Sequence, residues 1–483
     1  MQLDPIHFWA RLRPNAIALI ESSDAGTREL SYGTFDAAIN KIAMRLRNFD
    51  MPDMGVVAIQ SKSIIFLYLI ERALHRMNMT TLVLQPNILP DPSSGLLESD
   101  LFLTFEEANR SLHPKTEVLS TEWMREALTG PPVPAPKYHP RPQDILRILV
   151  SSGTTGKPKK IPLTRASLMH RFTLGAQIGY SGDERLLVTM GPETLAGFTA
   201  PLLCWSKGGC VIHINNNKIY TELLKMRPNN LLMSTGQLYN LINEIPENAK
   251  PIEGLRLSVM GSTLSKKIAE KAQEKITKDI NIIYGSTELG AASFGSVGVL
   301  NINERSVGYI MPGLEVEIVN STGIVLPPLE IGNVRIRREE VFSGYLDEEG
   351  ITSSSWHDGW FYPGDLGALS EDGLLVILGR VSEIMNLGGV KIDPVMIDEF
   401  AKTIAGVCDA AAFTIPNEAG VELPWIAIVR GANFDAPQFS AIMQAKWPVL
   451  KNINLAFIDA IPRNGMMKIE RQKFKQMAIA AQK

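Results

Sequence analysis

Residues 145–159 read ILRILVSSGTTGKPK, so an apolar run changes abruptly into a small, hydroxylated and cationic segment. The apolar run predicts a buried strand. Gly153 and Gly156 allow backbone conformations that other residues avoid, and a loop of this kind after a strand can direct N–H groups at an anion. Lys157 and Lys159 add positive charge. These residues alone leave two interpretations open, an ordinary surface loop and a phosphate cradle.

The spacing excludes a Walker A loop, which requires G-x-x-x-x-G-K-[ST] and a helix that starts at the lysine. Gly153 and Gly156 are only three positions apart, and Pro158 stands where that motif has Ser or Thr. We therefore expect an extended loop that covers a ligand as a mobile flap, rather than a loop that caps a helix.

Composition excludes several classes of protein. The chain has 483 residues, enough for two or three structural units, and a formal net charge of −3 that does not favour nucleic acid as a partner. Its three cysteines have no framework spacing, which is typical of a reducing compartment, and we expect a cytoplasmic location. No run approaches 18 apolar residues, so no membrane span is predicted. The seven histidines show no metal-ligand spacing.

The order of predicted elements indicates the fold class. Between about residues 186 and 284, strand patterns alternate with helix patterns, which predicts parallel sheets covered by helices. After about residue 305, strands are joined by Gly, Pro and Asp turns without long helices, which favours an antiparallel or barrel-like subdomain. The last hundred residues return to a mixed α/β pattern.

The motif Tyr284-Gly285-Ser286-Thr287-Glu288 follows a predicted strand. It places an aromatic ring, a glycine, a hydroxyl and a carboxylate at a carboxyl-terminal sheet edge, where ligands bind in open α/β sheets. Thr287 and Glu288 offer oxygen ligands that suit Mg²⁺. A helix start, with Thr287 as its cap, is the alternative interpretation.

Two further stretches carry candidate site residues. Asp365 ends the run GWFYPGD and Arg380 follows a predicted strand, and these side chains suit ribose hydroxyls and a phosphate or ribose oxygen. A turn aspartate and a surface arginine are the alternatives. Lys468 lies between Met467 and Ile469 in PRNGMMKIER near the C-terminus, where a lone lysine is usually solvated.

Together, the order and spacing of these motifs resemble the adenylate-forming superfamily of acyl-CoA synthetases, adenylation domains and beetle luciferases. SSGTTGKPK is similar to the phosphate loop of that family, YGSTE to its Tyr-Gly-x-Thr-Glu motif and YPGD to its Tyr-x-x-Gly-Asp motif. GRVSEIMNLGGVKIDP resembles the hinge, and PRNGMMKIER resembles the terminal lysine motif.

The resemblance implies an α/β fold with two domains. Residues 1–381 are expected to form a large domain that binds ATP and the acyl substrate. We expect two parallel or mixed, helix-flanked sheets there, with a small β-barrel-like subdomain. Residues 382–483 are expected to form a small mobile α+β lid that carries the terminal lysine and lines the thiol tunnel.

The resemblance also implies a two-step reaction and its cofactors, ATP, Mg²⁺ and CoA. A carboxylate attacks the α-phosphate of ATP, giving an acyl-adenylate and pyrophosphate, and a thiol then takes the acyl group. Lys468 would bridge carboxylate and α-phosphate, while Thr287 and Glu288 would hold Mg²⁺ and the phosphates. The implied ATP-binding residues are Ser151, Ser152, Gly153, Thr154, Thr155, Gly156 and Lys159 at the phosphates, Gly261, Ser262, Thr263, Tyr284 and Gly285 at the adenine, and Asp365 and Arg380 at the ribose.

Further sites follow from the same resemblance. The small domain would rotate at Ser382 and bring the loop with Gly388, Gly389 and Lys391 to the thiol tunnel. The residues expected to line the acyl pocket are Thr194, Phe198, Gln237, Gly290 and Ala291. The small side chains leave room for a medium-chain or aromatic acid. Residues 191–200 hold no aspartate of the kind that binds an amino-acid amine, and Glu193 is the alternative carboxylate there.

Departures from the family pattern keep alternatives open. The hinge is usually Asp or Lys rather than Ser382, the residue before the terminal lysine is usually Gly rather than Met467, and Lys160 replaces a usual Gly. A carboxylate–CoA ligase is the favoured function. The alternatives are a free-standing enzyme that loads a carrier-protein pantetheine and a catalytically silent nucleotide-binding module.

Overall fold

The computed structural model describes residues 4–86, 95–136, 140–152, 158–177, 181–215, 218–338, 344–346, 355–387, 390–417, 421–451, 453–463, 469–471 and 474–475. Within these ranges it contains eleven α-helices and twenty-six β-strands in four sheets of fifteen, six, three and two strands. No helix in the described part is both long and apolar enough to cross a membrane.

The six-stranded sheet has the strand order β6-β5-β3-β4-β7-β8. Its first five strands are parallel, and β8 returns antiparallel to β7. Parallel strands are covered on both faces, which explains their nearly continuous apolar sequences. The strands are β3 (Val56–Gln60), β4 (Thr80–Val83), β5 (Leu101–Thr104), β6 (Thr116–Val118), β7 (Ile145–Ser152) and β8 (Pro158–Thr164).

The fifteen-stranded sheet begins as a parallel sheet and continues as an antiparallel one. Strands β1, β10, β9, β11, β12 and β13 are parallel neighbours in that order, and β2 adds an antiparallel edge to β1. These strands are β1 (Ile17–Ser23), β2 (Gly26–Ser31), β9 (Arg185–Val188), β10 (Cys210–Asn215), β11 (Asn230–Ser234), β12 (Arg256–Met260) and β13 (Asp279–Ser286). The alternating pattern predicted from the sequence is confirmed.

From β14 onward every pairing in this sheet is antiparallel. The predicted small subdomain is therefore joined to the parallel strands by continuous hydrogen bonding, and it has its own apolar core around Leu289, Val334 and Leu375. Its strands are β14 (Gly290–Ser296), β15 (Ser306–Ile310), β16 (Glu315–Val319), β17 (Gly332–Arg337), β18 (Trp356–His357), β19 (Trp360–Phe361), β20 (Asp365–Leu369) and β21 (Leu374–Arg380).

Seven helices of the large domain start where the sequence supplies a capping side chain. A serine hydroxyl accepts a backbone N–H at the start of α2, α3, α4, α8 and α9, which satisfies a donor that the helix itself cannot pair. The helices are α1 (Pro5–Leu12), α2 (Tyr32–Leu46), α3 (Ile64–Arg76), α4 (Thr121–Leu128), α5 (Arg165–Gln177), α6 (Leu195–Ser206), α7 (Ile219–Met226), α8 (Thr235–Glu244) and α9 (Lys266–Lys275).

The largest apolar core joins the two large sheets. It contains Val57 of the six-stranded sheet and Val211 of the fifteen-stranded sheet, together with residues of α2, α3 and α6. Tyr68 and Trp205 meet edge to face in this core, with ring centroids 5.1 Å apart. Because both sheets bury residues against the same helices, the strand ends of one sheet keep a fixed position relative to those of the other.

The C-terminal part combines two small sheets with two helices. A β22–β23 hairpin and the sheet β24-β25-β26 pack with α10 and α11 around Ile397, Ile426 and Phe439. The elements are β22 (Met385–Leu387), β23 (Val390–Ile392), α10 (Pro394–Ala401), β24 (Val407–Pro416), β25 (Glu422–Arg430), α11 (Ala436–Lys446) and β26 (Asn454–Phe457). A separate core agrees with the predicted C-terminal domain, whose boundary at residue 382 remains a prediction.

Candidate active site

Tyr284, Asp365 and Arg380 come together although they belong to three different strands. Asp365 begins β20 and lies directly opposite Arg380, the last residue of β21, while Tyr284 lies near the end of β13. The Asp365 carboxylate is buried, accepts a hydrogen bond from the Tyr284 hydroxyl at 2.5 Å and forms an ion pair with Arg380 Nε at 2.9 Å. The structure thus unites two motifs that the sequence places 81 positions apart.

The ionisation of this cluster favours a charged carboxylate beside a neutral phenol. Burial and the adjacent Asp365 raise the pKa of Tyr284 well above its ordinary value, so the hydroxyl remains a hydrogen-bond donor. The Arg380 guanidinium pairs with the same carboxylate and stabilises its negative form. A carboxylate held in this way accepts several hydrogen bonds at once, as paired ribose hydroxyls require.

The Thr287–Leu289 turn connects β13 to β14 as a tight hairpin. The helix start considered as an alternative for this motif is therefore absent at these residues. Gly285 is required by the close approach of the two strands, because a Cβ there would lie 2.1 Å from the Gly290 carbonyl oxygen. The turn presents the Thr287 hydroxyl and the Glu288 carboxylate at the end of the last parallel strand.

Glu288 is held by Tyr345, a residue to which the motifs assigned no role. The Tyr345 hydroxyl donates a hydrogen bond to Glu288 Oε1 at 2.7 Å, and burial together with this carboxylate raises the pKa of Tyr345. The Lys159 ammonium lies 4.7 Å from the centre of the Tyr345 ring. Tyr345 therefore connects the Thr-Glu turn to the strand that follows the phosphate loop.

Two paired strands flank the predicted phosphate loop, and the sequence predicted only the first of them. Ser151 and Ser152 are the last residues of β7 and pair with Lys159 and Pro158 of β8, a strand that was not predicted. Thus Lys159 lies on a strand rather than in a loop, and Gly153, Thr154, Thr155 and Gly156 lie outside the described residues. The return by an antiparallel strand agrees with the exclusion of a Walker A loop, in which a helix follows at once.

The predicted acyl-pocket residues have mainly structural contacts in this conformation. Thr194 caps α6 by accepting the Gly197 N–H at 3.0 Å. The Gln237 side chain accepts the Ser234 N–H at 2.9 Å and donates to the Thr189 carbonyl at 2.7 Å. Phe198 is buried in the core beneath two guanidinium groups.

Five small residues complete the predicted adenine and acyl surroundings. Gly261 and Ser262 are exposed after β12, next to the strand that carries Tyr284, and Thr263 is partly exposed. The Ser262 carbonyl accepts a hydrogen bond from the Thr235 hydroxyl at 2.9 Å. Gly290 and Ala291 are partly exposed at the start of β14. All of these assignments remain predictions.

The C-terminal site residues are only partly within the described chain. Lys468, Gly388 and Gly389 lie outside it, Lys391 lies on β23, and Ser382 lies in the turn after β21. Arg471 forms ion pairs with Asp398 and, at 3.5 Å, with Glu383.

Asp393 connects the C-terminal part to the large domain. Its carboxylate accepts from Arg305 Nη1 at 2.7 Å, and its other oxygen accepts the Val395 N–H at the start of α10.

The comparisons with known proteins agree with this geometry. The sequence profile of the AMP-binding enzyme family matches residues 6–346. The chain belongs to this family. It is similar to 4-coumarate–CoA ligase-like 9 of Arabidopsis thaliana, with 28% identity over 70% of this chain and 62% of that protein. The medium/long-chain-fatty-acid–[acyl-carrier-protein] ligase FadD10 of Mycobacterium tuberculosis is 24% identical over 99% of this chain and 95% of its own.

A solved structure extends the likeness to the whole fold. ATP-bound MatB from Rhodopseudomonas palustris superposes with a TM-score of 0.85 at 21% identity and covers 100% of both chains. The predicted fold class is confirmed, and so is the predicted enzyme class, an AMP-forming acid–thiol ligase that uses ATP and Mg²⁺.

The residues present fit a magnesium ion that is held mainly by the nucleotide. Among the described residues there is no group of three or more His, Cys, Asp or Glu side chains that could form a metal cage. The Thr287 hydroxyl and the Glu288 carboxylate supply hard oxygen donors beside the phosphate-loop strand. Mg²⁺ is commonly bound by one or two such groups together with substrate phosphates.

Proposed function

We propose that this protein activates a medium-chain or aromatic carboxylic acid with ATP and transfers the acyl group to CoA, using the residues gathered at the end of β13. The observation that carries the proposal is the convergence of the Tyr284–Asp365–Arg380 cluster with the Thr287–Glu288 turn at a single strand end. Phosphoryl transfer mainly requires the positioning of reactants and the neutralisation of charge. No general base is needed, since a carboxylic acid is already ionised at neutral pH.

Each part of the cluster has a distinct task in this proposal. Asp365 binds the ribose hydroxyls, with Arg380 holding its carboxylate in place. Tyr284 lies against the adenine, and its hydroxyl donates a hydrogen bond to the second oxygen of the Asp365 carboxylate. Lys159 attracts the polyphosphate, and Thr287 and Glu288 hold the Mg²⁺ that neutralises phosphate charge when it is bound.

The C-terminal domain is proposed to supply the remaining groups. Lys468 contacts the carboxylate and the α-phosphate, where negative charge builds in the transition state. Arg471 lies three positions further on, and its contacts with Asp398 and Glu383 tie the terminal motif to the segment after Ser382. Rotation at Ser382 would then exchange Lys468 for the loop at Gly388 and Gly389, which admits the thiol.

The acid itself is constrained only by the small residues at the proposed pocket. Gly290 and Ala291 leave space beside the turn, which favours a medium-chain or aromatic acid. Glu193 lies in the turn between β9 and α6, and burial raises the pKa of its carboxyl group. Burial thus disfavours the charged form of the one carboxylate in this segment that could pair with a substrate ammonium.

A panel of carboxylic acids assayed for pyrophosphate release, with and without CoA, tests the proposal. Turnover that CoA stimulates, together with a thioester product identified by mass spectrometry, is the expected result. Absence of pyrophosphate release with every acid, despite ATP binding, would identify a catalytically silent nucleotide-binding module instead.

A carrier-protein acceptor is the second candidate function. The relative that aligns over nearly the full length of this chain is named as an acyl-carrier-protein ligase, and this observation favours the candidate. Formation of an acyl-adenylate that CoA does not discharge, but a phosphopantetheinylated carrier protein does, would support it over CoA transfer.

A cytoplasmic location is also part of the proposal. Cys204 and Cys210 are buried free thiols, and Cys408 is an exposed free thiol. Free thiols are typical of a reducing compartment. Cell fractionation of a tagged full-length chain provides the test.

A further inference from the structure

Two arginines lie beneath the Thr287–Leu289 turn and bind three successive carbonyl groups. Arg171, on α5, donates through Nη2 to the carbonyls of Thr287 at 3.1 Å and Glu288 at 2.6 Å. Arg338, which follows β17, donates through Nη1 to the Leu289 carbonyl at 3.1 Å. The backbone of the turn is thus held from below over its whole length.

Neither guanidinium forms an ion pair within the described residues, although the Glu288 carboxylate is near enough to Arg171 to favour its charged form. Arg171 is 6% exposed and Arg338 is 9% exposed. Arg338 Nη2 donates a hydrogen bond to the His170 carbonyl at 3.0 Å, and this contact links Arg338 to α5. Burying a cation without a carboxylate partner is unfavourable, so two such groups under one short turn indicate a role beyond packing.

The ionisation of both groups reflects this environment. Burial and the nearby Arg338 lower the pKa of Arg171 to about 9. Burial lowers the pKa of Arg338 to about 10. Both groups therefore remain cationic at neutral pH and leave net positive charge under the turn.

Gly290 provides the space that Arg171 occupies. Its φ is +82°, and a Cβ there would lie 2.8 Å from Arg171 Nη1. Nη1 and Nε of Arg171 are buried without a hydrogen-bond partner among the described residues. Arg171 therefore binds the turn through Nη2 alone. Its guanidinium can occupy this position only because residue 290 is a glycine.

We propose that Arg171 and Arg338 are positioning residues for nucleotide activation: they fix the backbone of the Thr287–Leu289 turn, and hence the Thr287 hydroxyl and the Glu288 carboxylate, at the polyphosphate. The inference rests on the proposed function of this turn. Displacing catalytic groups by about 1 Å commonly costs roughly a hundredfold in rate, so a backbone clamp suffices to affect activity strongly.

The test compares Arg171→Met with Arg185→Met. Arg185 is a matched control, because its guanidinium also binds two successive carbonyls, those of Met226 and Arg227, at the opposite end of the parallel strands. Arg171→Met is expected to lower kcat for acid-dependent ATP–pyrophosphate exchange roughly a hundredfold and to weaken ATP binding in calorimetry. Arg185→Met is expected to change thermal stability but neither of these quantities.

Further variants keep the inference testable if Arg171→Met folds poorly. Arg171→Lys retains the charge and one donor, so it should recover part of the lost kcat. Equal retention of kcat and ATP affinity in Arg171→Met and Arg185→Met at similar stability overturns the inference. Wild-type chain that binds ATP but activates no acid would contradict the proposed function, and the calorimetric comparison would still decide the role of Arg171.

Discussion

Replacing Asp365 by Asn tests whether the buried carboxylate binds ribose or serves only as a structural partner. The substitution keeps the shape of the side chain but removes its charge, while one amide oxygen remains to accept a hydrogen bond from Tyr284 or pair with Arg380. In the structure both carboxylate oxygens are engaged, one by each of these residues. The variant therefore perturbs binding and stability at once, and the experiment has to separate the two.

The expected magnitudes follow from the hydrogen bonds involved. A hydrogen bond to a charged group is worth about 1.5–3 kcal/mol, so weakening two ribose hydroxyl contacts at the low end of this range costs about 3 kcal/mol. That loss corresponds to roughly a hundredfold increase in the Kd for ATP. Losing the charge partner of Arg380 should lower the free energy of unfolding by about 1–3 kcal/mol.

Calorimetry with two nucleotides isolates the ribose contacts. The wild-type protein should bind ATP roughly a hundredfold more tightly than 2′,3′-dideoxyadenosine triphosphate, and Asp365→Asn should bind the two about equally. Asp279→Asn is the control, because Asp279 lies at the other end of β13 and pairs with Arg256 at 3.6 Å on the protein surface. It should leave both dissociation constants unchanged.

The reasoning fails if the wild-type protein does not distinguish the two nucleotides. It also fails if Asp365→Asn unfolds more easily yet retains the wild-type preference for ATP. Either result would assign Asp365 to the strand junction between β20 and β21 rather than to nucleotide binding.

Three other perturbations address different parts of the site. Tyr345→Phe removes the hydrogen bond to Glu288 and should raise the KM for ATP roughly tenfold in pyrophosphate exchange, with no added effect in a Glu288→Ala background, where the acceptor is gone; additive effects would separate the two residues. Lys468→Ala should abolish acyl-adenylate formation but largely spare thioester formation from supplied acyl-adenylate, and an equal loss of both half-reactions would contradict the rotating-domain proposal. Arg305→Met deprives the buried Asp393 of its cation and should lower the free energy of unfolding by about 1–3 kcal/mol in chemical denaturation, whereas unchanged stability would show that the ion pair contributes nothing.

Much of the architecture could be predicted because it depends on local patterns. The alternation of strand and helix patterns between about residues 186 and 284 predicted the parallel strands β9 to β13 and the helices that cover them. The antiparallel strand β8 was missed because PKKIPLT carries proline and two lysines, which do not resemble a buried strand. Its strand geometry comes from pairing with β7, a contact that lies outside any local sequence window.

The candidate site could be predicted only where a motif carries it. YGSTE and YPGD identified Tyr284, Thr287, Glu288 and Asp365, but no comparable signal surrounds Arg171 or Arg338. A single arginine on a helix is most often a solvated surface residue. Only the packing of α5 and β17 against the β13–β14 hairpin buries both guanidinium groups beneath the turn.

By itself, the sequence determined the family, the reaction class and the residues whose chemistry suits ATP. It could do so because those properties are written in side-chain type and in short, ordered spacings. The tertiary structure alone decided which of these residues touch. The Asp365 carboxylate meets Tyr284 because antiparallel strands carry residue 365 back to the end of β13, and Glu288 meets Tyr345 across 57 positions. Contacts between such distant residues depend on strand order and on the burial of shared cores, and neither is encoded in any local stretch of the chain.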